Sequence, residues 1–292
     1  MEDIERAEDR LGNIRSVEPI LSALRTISHA TWQKARKKLD EVHRVNNRIR
    51  RLMAMVPASL GSDVRLTSET KTRRVLIAIG TQRGLCGSFN QNVLNEAQRI
   101  SAEWRAANQH VSYWVVGSRL ARVFRNMDPE LDREWSISGS SLPSYALAVD
   151  IFQTCLLSFR DPSVASIEVL YNRPLKGAMS KTTRRRILPP QATQKLSAQQ
   201  VAPWPPPIIE TDPIDLIAHL FLEGLSIQML TYLLESAEAE HATRFHLMED
   251  ASQNADRLIE ELNEMVLSAR RHAITREMIE LAASSGLIGF SD

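Results

Sequence analysis

The sequence has 292 residues, enough for one or two domains, and it is nearly neutral, with 36 basic and 35 acidic side chains. That balance excludes a strongly basic nucleic-acid binder, and a hydrophobic fraction of 43% excludes a chain that is disordered throughout. Aromatic residues make up only 5%, a composition that favours long helices over a large aromatic core.

Charge is distributed unevenly along the chain. Residues 1–56 carry 12 basic and 8 acidic side chains, whereas residues 208–292 carry 5 basic and 16 acidic ones. The stretch between them is therefore net positive. We expect three chemically distinct parts: a mildly basic N-terminal segment, a basic middle and a strongly acidic C-terminal segment.

Simple counts argue against several classes of protein. Two cysteines, Cys86 and Cys155, are too few for a disulfide framework or a metal-ligand cluster, so a reduced, cytosolic setting is expected. No apolar run reaches the ~18 residues that a membrane span requires. The N-terminus, Met1-Glu2-Asp3, resembles neither a signal peptide nor a transit peptide.

Residues 1–57 are predicted to be an N-terminal helical segment that Pro57 closes. Apolar residues such as Leu11, Ile14 and Leu21 recur at steps of three and four, which is the spacing of one helix face. Pro19 conflicts with this pattern, because a proline inside a helix removes a hydrogen bond and clashes with the preceding turn. The helix is expected either to kink at Pro19 or to restart there.

Residues 73–190 are predicted to be a small parallel or mixed α/β domain. Short apolar runs suited to buried strands alternate with helical stretches, which is the pattern of strand–helix–strand units. In chain order, the predicted elements are a strand at 75–79, a helix at 92–107, a strand at 111–116, a short helix through Phe124, a helix at 145–160, a strand at 166–171 and a candidate fourth strand at 187–188.

Prolines are concentrated after this domain, and residues 191–212 are predicted to be a stiff, extended junction. Residues 213–285 are predicted to form a second long helix, with Pro213 in its first turn and Thr211 or Asp212 as its N-cap. Its apolar seam steps by three and four, at Met248, Ala251, Ala255, Leu258, Leu262, Met265 and Ala269.

The two terminal helices are too long for a domain of this size. At about 1.5 Å per residue they would extend about 80 Å and about 108 Å. They are therefore expected to pair with each other and to project from the middle domain. An acidic helix beside a basic one also pairs favourably.

The loop Gly80–Gly87 follows a strand and precedes a helix, which is where a phosphate-binding loop would lie. Its glycine spacing matches neither the dinucleotide-binding fingerprint nor a P-loop. A tight turn that needs small residues is therefore favoured over nucleotide binding. Cys86 in this loop is interpreted as a small buried thiol, because a nucleophile would need a histidine base and an orienting partner.

Two basic runs, 34–38 and 184–186, are interpreted as solvated faces, with docking against an acidic partner as the alternative. His241 and His246 are five residues apart, which does not suit a helical metal pair. We therefore predict no catalytic residue, no cofactor, no metal site and no nucleic-acid partner. The residues by themselves indicate two paired helices on a small α/β body, suited to mechanical coupling or scaffolding.

Several different short motifs are distributed along nearly the whole chain. They include Ile14-Arg15-Ser16-Val17, Arg36-Lys37, Arg83-Gly84-Leu85-Cys86-Gly87 with Phe89-Asn90, Tyr171-Asn172, Leu188-Pro189, Glu210-Thr211-Asp212-Pro213, Glu235-Ser236, Glu240-His241-Ala242-Thr243-Arg244, Asn254-Ala255 and Arg270-Arg271-His272-Ala273-Ile274-Thr275-Arg276-Glu277. In this order and spacing they resemble the motifs of the gamma subunit of F-type, H⁺- or Na⁺-transporting ATP synthases.

The departures from the family pattern indicate a divergent member. Gln82 stands where the family has Asp before R-G-L-C-G, and Pro19 lies in a segment that differs from the family's N-T-x-K-I-T. Arg271 replaces the family's Gln.

The resemblance implies an α/β fold class with two parts. One is a long antiparallel coiled coil of the N- and C-terminal helices, and the other is a small Rossmann-like α/β foot domain. It implies a central rotor shaft that couples ion flow through the membrane ring of c subunits to ATP synthesis or hydrolysis at the beta subunits. The implied partners are the alpha and beta subunits, the epsilon subunit and the c ring. Such a subunit is not catalytic alone, and it is expected at the cytoplasmic face of the bacterial membrane as a peripheral component.

The resemblance also assigns residues. Arg270, Arg271 and Thr275 would lie on the shaft segment that meets the beta subunits. Glu210 would lie near the foot, facing the c ring or epsilon, and the group Arg83, Gly84, Cys86 and Gly87 would shape a turn of the foot. Two alternatives stay open at this point: a non-rotary coiled-coil scaffold of the same fold, and a nucleotide-binding enzyme with helical arms.

Overall fold

The computed structural model describes residues 2–55, 72–126, 131–137, 142–175, 180–190 and 212–284. In chain order its elements are α1 (Glu2–Met55), β1 (Arg73–Ile79), α2 (Phe89–Ala106), β2 (His110–Val116), α3 (Ser118–Arg125), β3 (Arg133–Trp135), α4 (Tyr145–Phe159), β4 (Val164–Pro174), β5 (Ser180–Leu188) and α5 (Pro213–Ser284). The chain divides into two units, one from Ser28 to Arg244 and one that combines the start of α1, up to Ile27, with the end of α5, from Phe245.

The five strands form one mixed sheet in the order β3-β2-β1-β4-β5. β1 pairs in parallel with β2 and with β4, β2 pairs in parallel with β3, and β4 pairs antiparallel with β5. The parallel part has the strand order of a Rossmann-like sheet. The predicted candidate strand at 187–188 is the end of β5, whereas β3 was not predicted because its three residues include the exposed Arg133 and Glu134.

Side chains on the two faces of β1 enter two separate cores. Val75, Ile77 and Ile79 belong to a cluster that packs against α4 and against the parts of α1 and α5 in this unit. Leu76 and Ala78 belong to a cluster with α2 and α3 on the other face. Because β1 is covered on both faces, it is continuously apolar, as the sequence predicted.

Pro19 lies inside α1, which is a single helix in the structure. The prediction of a restart at this residue is therefore wrong. The proline is exposed, so its ring displaces no packed side chain. Cross-helix hydrogen bonds lie on both sides of it, from Arg15 to Asn263 at 2.9 Å and from Arg25 to Glu249 at 3.3 Å. These contacts and the packing around them offset the loss of one backbone hydrogen bond.

In the unit formed by the two helix ends, α1 and α5 are antiparallel. The contact partners run in opposite directions along the chain, since Glu8 pairs with Arg270, Arg15 with Asn263 and Arg25 with Glu249. The predicted pairing of the terminal helices is therefore confirmed within this unit.

The register of the predicted seam on α5 needs a correction. Met248, Ala255 and Leu262 are buried, but Leu258 and Met265 are 39% and 54% exposed. The second row of the seam, which alternates along the helix with Met248, Ala255 and Leu262, consists instead of Ser252, Ile259 and Val266, which are buried or half-buried. A repeat of 3.5 residues fits two neighbouring rows equally well, and the position of α1 selects between them.

The basic run 184–186 is partly neutralised by a buried acid. Glu168 on β4 accepts a hydrogen bond from Arg184 and lies 3.6 Å from both Arg74 and Arg186. Arg74 and Arg184 also lie over the ring of Trp104, at 5.3 and 5.0 Å from its centroid. The prediction of a solvated face is therefore incomplete, because two of the three arginines are tied to the interior of the domain.

Among the described residues, no helix is long and apolar enough to cross a membrane.

We expect Glu168→Gln to lower the free energy of unfolding by about 2 kcal/mol, because it leaves three half-exposed guanidinium groups without their shared carboxylate. Urea unfolding followed by tryptophan fluorescence measures this change. The matched control is Glu103→Gln, since the exposed Glu103 lies 3.5 Å from Arg184 but is not buried. Equal effects of the two variants would contradict the assigned role of Glu168.

Candidate functional site

The central part of α5 is surrounded by protein. Every side chain from 225 to 244, which we name the enclosed segment, is buried or half-buried. A helix that is covered on all sides is normally apolar all round, but this one carries several polar residues. The buried polar residues of the segment are Ser226, Thr231, Glu235, Ser236, Glu240 and Arg244.

Some of these polar groups are satisfied within the helix. The hydroxyl of Ser226 donates to the carbonyl of Leu222 at 3.0 Å, and that of Thr231 donates to the carbonyl of Ile227 at 2.8 Å. Such bonds to a carbonyl one turn earlier are local, so they hold nothing else in place. Glu235 and Arg244 behave differently, because they also have partners on other elements of the domain.

Arg244 joins the enclosed segment to the loop that follows β1. Its guanidinium donates to the carbonyl oxygen of Gly84 at 3.3 Å from both Nε and Nη2. Nη2 also lies 2.8 Å from the Cys86 sulfur and 2.5 Å from Oε1 of Glu240, one turn earlier on α5. A planar guanidinium with five donors is suited to holding a carbonyl, a sulfur and a carboxylate at once.

The loop reaches Arg244 because its backbone turns sharply. Leu85 and Gly87 both have left-handed φ angles, of 64° and 54°. At the start of the loop, a side chain on Gly80 would lie 2.6 Å from Leu120, so only glycine fits there. Cys86 is buried against Phe89 and Ala239. The predicted tight turn is present, with glycine favoured at Gly80 and Gly87, and Cys86 is a buried thiol.

Gln82 fixes the other side of this loop. Its side-chain oxygen accepts hydrogen bonds from the backbone N–H of Ser118 at 3.2 Å and of Ile137 at 3.1 Å. Ser118 is the first residue of α3, so a helix N-terminus that could receive a phosphate is bonded to the protein's own amide.

Burial determines the electrostatics of the Arg244 cluster. Burial is the main cause that raises the pKa of Cys86 to about 12, so the sulfur is a neutral thiol. Burial also raises the pKa of Glu240, although Arg244 opposes this change. His241 lies 3.2 Å from Nη1 of Arg244, and burial together with that positive charge lowers its pKa to about 4. The Cys86 thiol donates to the carbonyl oxygen of Gly84 at 3.3 Å, and a neutral thiol bonded to the backbone does not suit nucleophilic catalysis.

A second polar contact joins the enclosed segment to the sheet. The hydroxyl of Tyr171 on β4 donates to Oε2 of Glu235 at 2.5 Å, and both residues are buried. Nε of Arg173 lies 3.7 Å from the other oxygen of Glu235. The ring of Tyr171 lies 5.1 Å from that of Tyr232, centroid to centroid. The next residue on β4, Asn172, donates to the carbonyl of Phe89 at 3.0 Å and thereby holds the start of α2.

The structure brings together three motifs that are far apart in the sequence. The loop 83–87, the pair Tyr171-Asn172 and the charged positions of 235–244 meet around one helix. Sequence reasoning quoted the last two as motifs but assigned them no role. A usable signal was present, because Glu235, Glu240 and Arg244 are charges in a helical stretch rich in apolar residues, and buried charges need partners.

The predicted site residues fall into three groups. Arg83 is exposed, the carbonyl of Gly84 and the sulfur of Cys86 contact Arg244, and Gly87 has a left-handed φ angle. Glu210 lies outside the described residues. The shaft residues lie on an exposed part of α5: Arg270 forms an ion pair with Glu8, Arg271 is exposed, and the hydroxyl of Thr275 donates to the carbonyl of Arg271 at 2.9 Å.

No group of three or more His, Cys, Asp or Glu residues suited to a metal ion is present in the part of the chain that the structure describes.

The amino-acid sequence is similar to those of known proteins over nearly its full length. The family model described as ATP synthase matches residues 3–286. The ATP synthase gamma chain of Nostoc punctiforme is 27% identical over 312 aligned positions, which cover 98% of this chain and 99% of the Nostoc protein. The ATP synthase gamma chain of Parabacteroides distasonis is 25% identical over 289 positions, with 98% of this chain and 99% of that protein covered.

The fold is similar to those of solved central stalks. A chain in the rotor of the Euglena gracilis mitochondrial ATP synthase matches with a TM-score of 0.65 at 15% identity, covering 94% of this chain and 99% of that one. A chain from the central stalk and c-ring of the Tetrahymena thermophila mitochondrial ATP synthase matches with a TM-score of 0.58 at 17% identity, covering 80% of this chain and 99% of that one. The predicted fold class is confirmed.

The lowered pKa of His241 predicts a loss of stability in acid. The unfolded chain binds a proton near pH 6.5 while the folded chain does not, so the free energy of unfolding falls as the pH drops from 6.5 towards 4. Between pH 7 and pH 5 we expect the wild-type protein to lose about 2 kcal/mol more than His241→Gln. Urea unfolding at the two pH values measures the difference, and parallel losses in both proteins would contradict the buried, neutral state of His241.

Proposed function

Because the chain belongs to the ATP synthase family, we propose that it is the gamma-type central rotor shaft of an F-type ATP synthase. Relatives named ATP synthase gamma chain match essentially the whole chain, and the rotor fold is shared. The observation that carries the proposal is α5 itself. One helix of 72 residues is enclosed by the α/β domain over 225–244 and continues to Ser284 as part of an antiparallel helix pair.

The shaft works without a catalytic site of its own. Its role is to transmit rotation from the c ring to the beta subunits, which make or hydrolyse ATP. A helix that is packed within a folded domain at one end can transmit such a rotation, because its backbone hydrogen bonds make it stiff along its length. The buried, protonated Cys86 and the backbone-bonded Gln82 suit a structural loop rather than a reactive one.

The proposed partners are those of a central shaft: the alpha and beta subunits of the head, the epsilon subunit and the c ring. Solved relatives of this fold come from a rotor and from a central stalk with its c-ring. The corresponding location is the cytoplasmic face of a bacterial membrane, where the chain would be bound peripherally through the ring.

Exposed apolar residues on the last turns of α5 support the proposal that a partner subunit of the head covers this part of the helix. They are Leu267, Ile274, Met278, Ile279 and Leu281, each more than half exposed. Several large apolar side chains on one short stretch of helix indicate a surface that a partner covers. Arg271 and Thr275 lie in the same stretch, which supports their proposed contact with the beta subunits.

The foot residues are proposed to act as a group. Arg83 is exposed next to the loop in which Gly84 and Cys86 contact Arg244 and Gly87 has a left-handed φ angle. Its guanidinium is therefore available to a partner such as epsilon or the c ring. Glu210 is proposed to face the ring because Glu210-Thr211-Asp212-Pro213 resembles a motif of the family.

Reconstitution of the head tests the proposed function. We expect the purified chain alone to hydrolyse no ATP, because it contains no motif for phosphoryl transfer. Mixed with alpha and beta subunits of its own organism, it should co-purify as a single copy per head and increase ATP hydrolysis several-fold over the head without it. Turnover by the isolated chain, or failure to bind the head, would contradict the proposal.

Variants of Arg270 and of its ion-pair partner Glu8 distinguish two roles of Arg270: pairing of the two helices and contact with a beta subunit. If Arg270 only joined the two helices, Arg270→Gln and Glu8→Gln would have the same effect. We expect both variants to change the free energy of unfolding by less than about 1 kcal/mol, since the pair is exposed. Only Arg270→Gln should reduce ATP-driven ion transport in the assembled complex, because it also removes the contact with a beta subunit. Equal losses of transport would contradict that contact.

A further inference from the structure

The two polar contacts of the enclosed segment approach α5 from opposite sides. Successive side chains on an α-helix are about 100° apart, so Glu235 and Arg244, nine residues apart, project about half a turn away from each other. They are separated by about 13 Å along the helix axis. Glu235 is held by Tyr171 of the sheet, and Arg244 is held by Gly84 and Cys86 of the loop.

We propose that these two contacts together form a rotation lock, which prevents α5 from turning about its own axis inside the α/β domain. In this scheme Tyr171 and Glu235 are positioning residues for torque transmission, with the Arg244 contact as the opposing half of the lock. The inference rests on the proposed rotor function. A helix held on one side can roll around the contact, whereas a helix held on two opposite sides cannot roll without breaking at least one of them.

Apolar packing alone gives a weaker barrier to such a roll. The large buried apolar side chains of the enclosed segment lie at 225–234, whereas from 235 to 244 the buried apolar side chains are the small Ala237, Ala239 and Ala242, which interlock little with their neighbours. Apolar contacts are also non-directional, so a rotated helix can recover much of its burial. Hydrogen bonds between a buried carboxylate and a hydroxyl, or between a guanidinium and a carbonyl, are strong and depend on direction. The polar contacts are therefore the part of the interface that defines the angle of the helix.

Glu235 is well placed for this role because both of its oxygens face partners outside its own helix. Oε2 receives the hydroxyl of Tyr171 at 2.5 Å, and Oε1 lies 3.7 Å from Nε of Arg173. Both partners belong to the end of β4, which pairs with β5 at these positions. The contact thus connects the helix to the sheet.

Tyr232 supplies a matched control. It is buried beside Tyr171, but its hydroxyl accepts a hydrogen bond from Gln228 on the same helix at 2.7 Å. Tyr232→Phe and Tyr171→Phe each remove one buried hydroxyl from the same core. Only Tyr171→Phe removes a bond between the helix and the sheet.

The test uses the complete rotary complex and measures the number of ions transported per ATP hydrolysed. We expect Tyr171→Phe and Arg244→Lys to lower this ratio slightly when made singly, because one side of the lock remains. The double variant should lower it several-fold more than the product of the single effects. The free energies of unfolding should instead add, since the two contacts share no partner. Tyr232→Phe should leave the ratio at the wild-type value.

A second pair of variants keeps the test decisive if the double variant folds poorly. Glu235→Gln retains an oxygen that accepts a hydrogen bond from the Tyr171 hydroxyl, whereas Glu235→Leu does not. In the Arg244→Lys background, only Glu235→Leu should therefore lower the number of ions transported per ATP hydrolysed. A double-variant ratio equal to the product of the single effects, or equal losses in the two Glu235 variants, would overturn the lock. A wild-type complex that hydrolyses ATP without ion transport would overturn the proposed rotor function instead.

Discussion

The contact between Arg244 and the loop after β1 is the interaction on which the rest of the site depends. A guanidinium buried in the middle of a helix is costly unless its charge and its donors are satisfied. Glu240 supplies the opposite charge one turn away, and the carbonyl of Gly84 and the sulfur of Cys86 complete the set. The left-handed backbone at Leu85 brings these two acceptors to the helix.

This requirement explains why a helix covered on all sides keeps charged residues. An apolar helix in an apolar surround would be held in place but only weakly oriented, because apolar burial depends little on direction. Glu235 and Arg244 have partners at defined positions on the sheet and the loop, and Glu240 supplies the opposite charge to Arg244 from the same helix. They therefore give α5 one angle relative to the domain, which is what a shaft must have in order to transmit a turn.

Predictions from the sequence succeeded where a pattern has one physical explanation. The continuous apolar run of β1 required cover on both faces, and the structure provides it with α2 and α3 on one side and α4 on the other. Predictions failed where the pattern fits two arrangements. The seam of α5 could pass through Leu258 or Ile259, and the exposed Pro19 could interrupt α1 or be carried within it. In both cases contacts with the neighbouring helix decide the outcome.

The sequence by itself determined the two long helices, the strands with strong apolar runs and the motifs that mark the family, because these depend on local periodicity and residue type. It did not determine how Tyr171, the loop at 83–87 and the charges at 235–244 meet, since these segments are separated by up to 161 positions in the chain. Only the tertiary structure brings a strand, a loop and a helix to one place. The physical reason is that a buried charge specifies that it needs a partner but not where along the chain that partner lies.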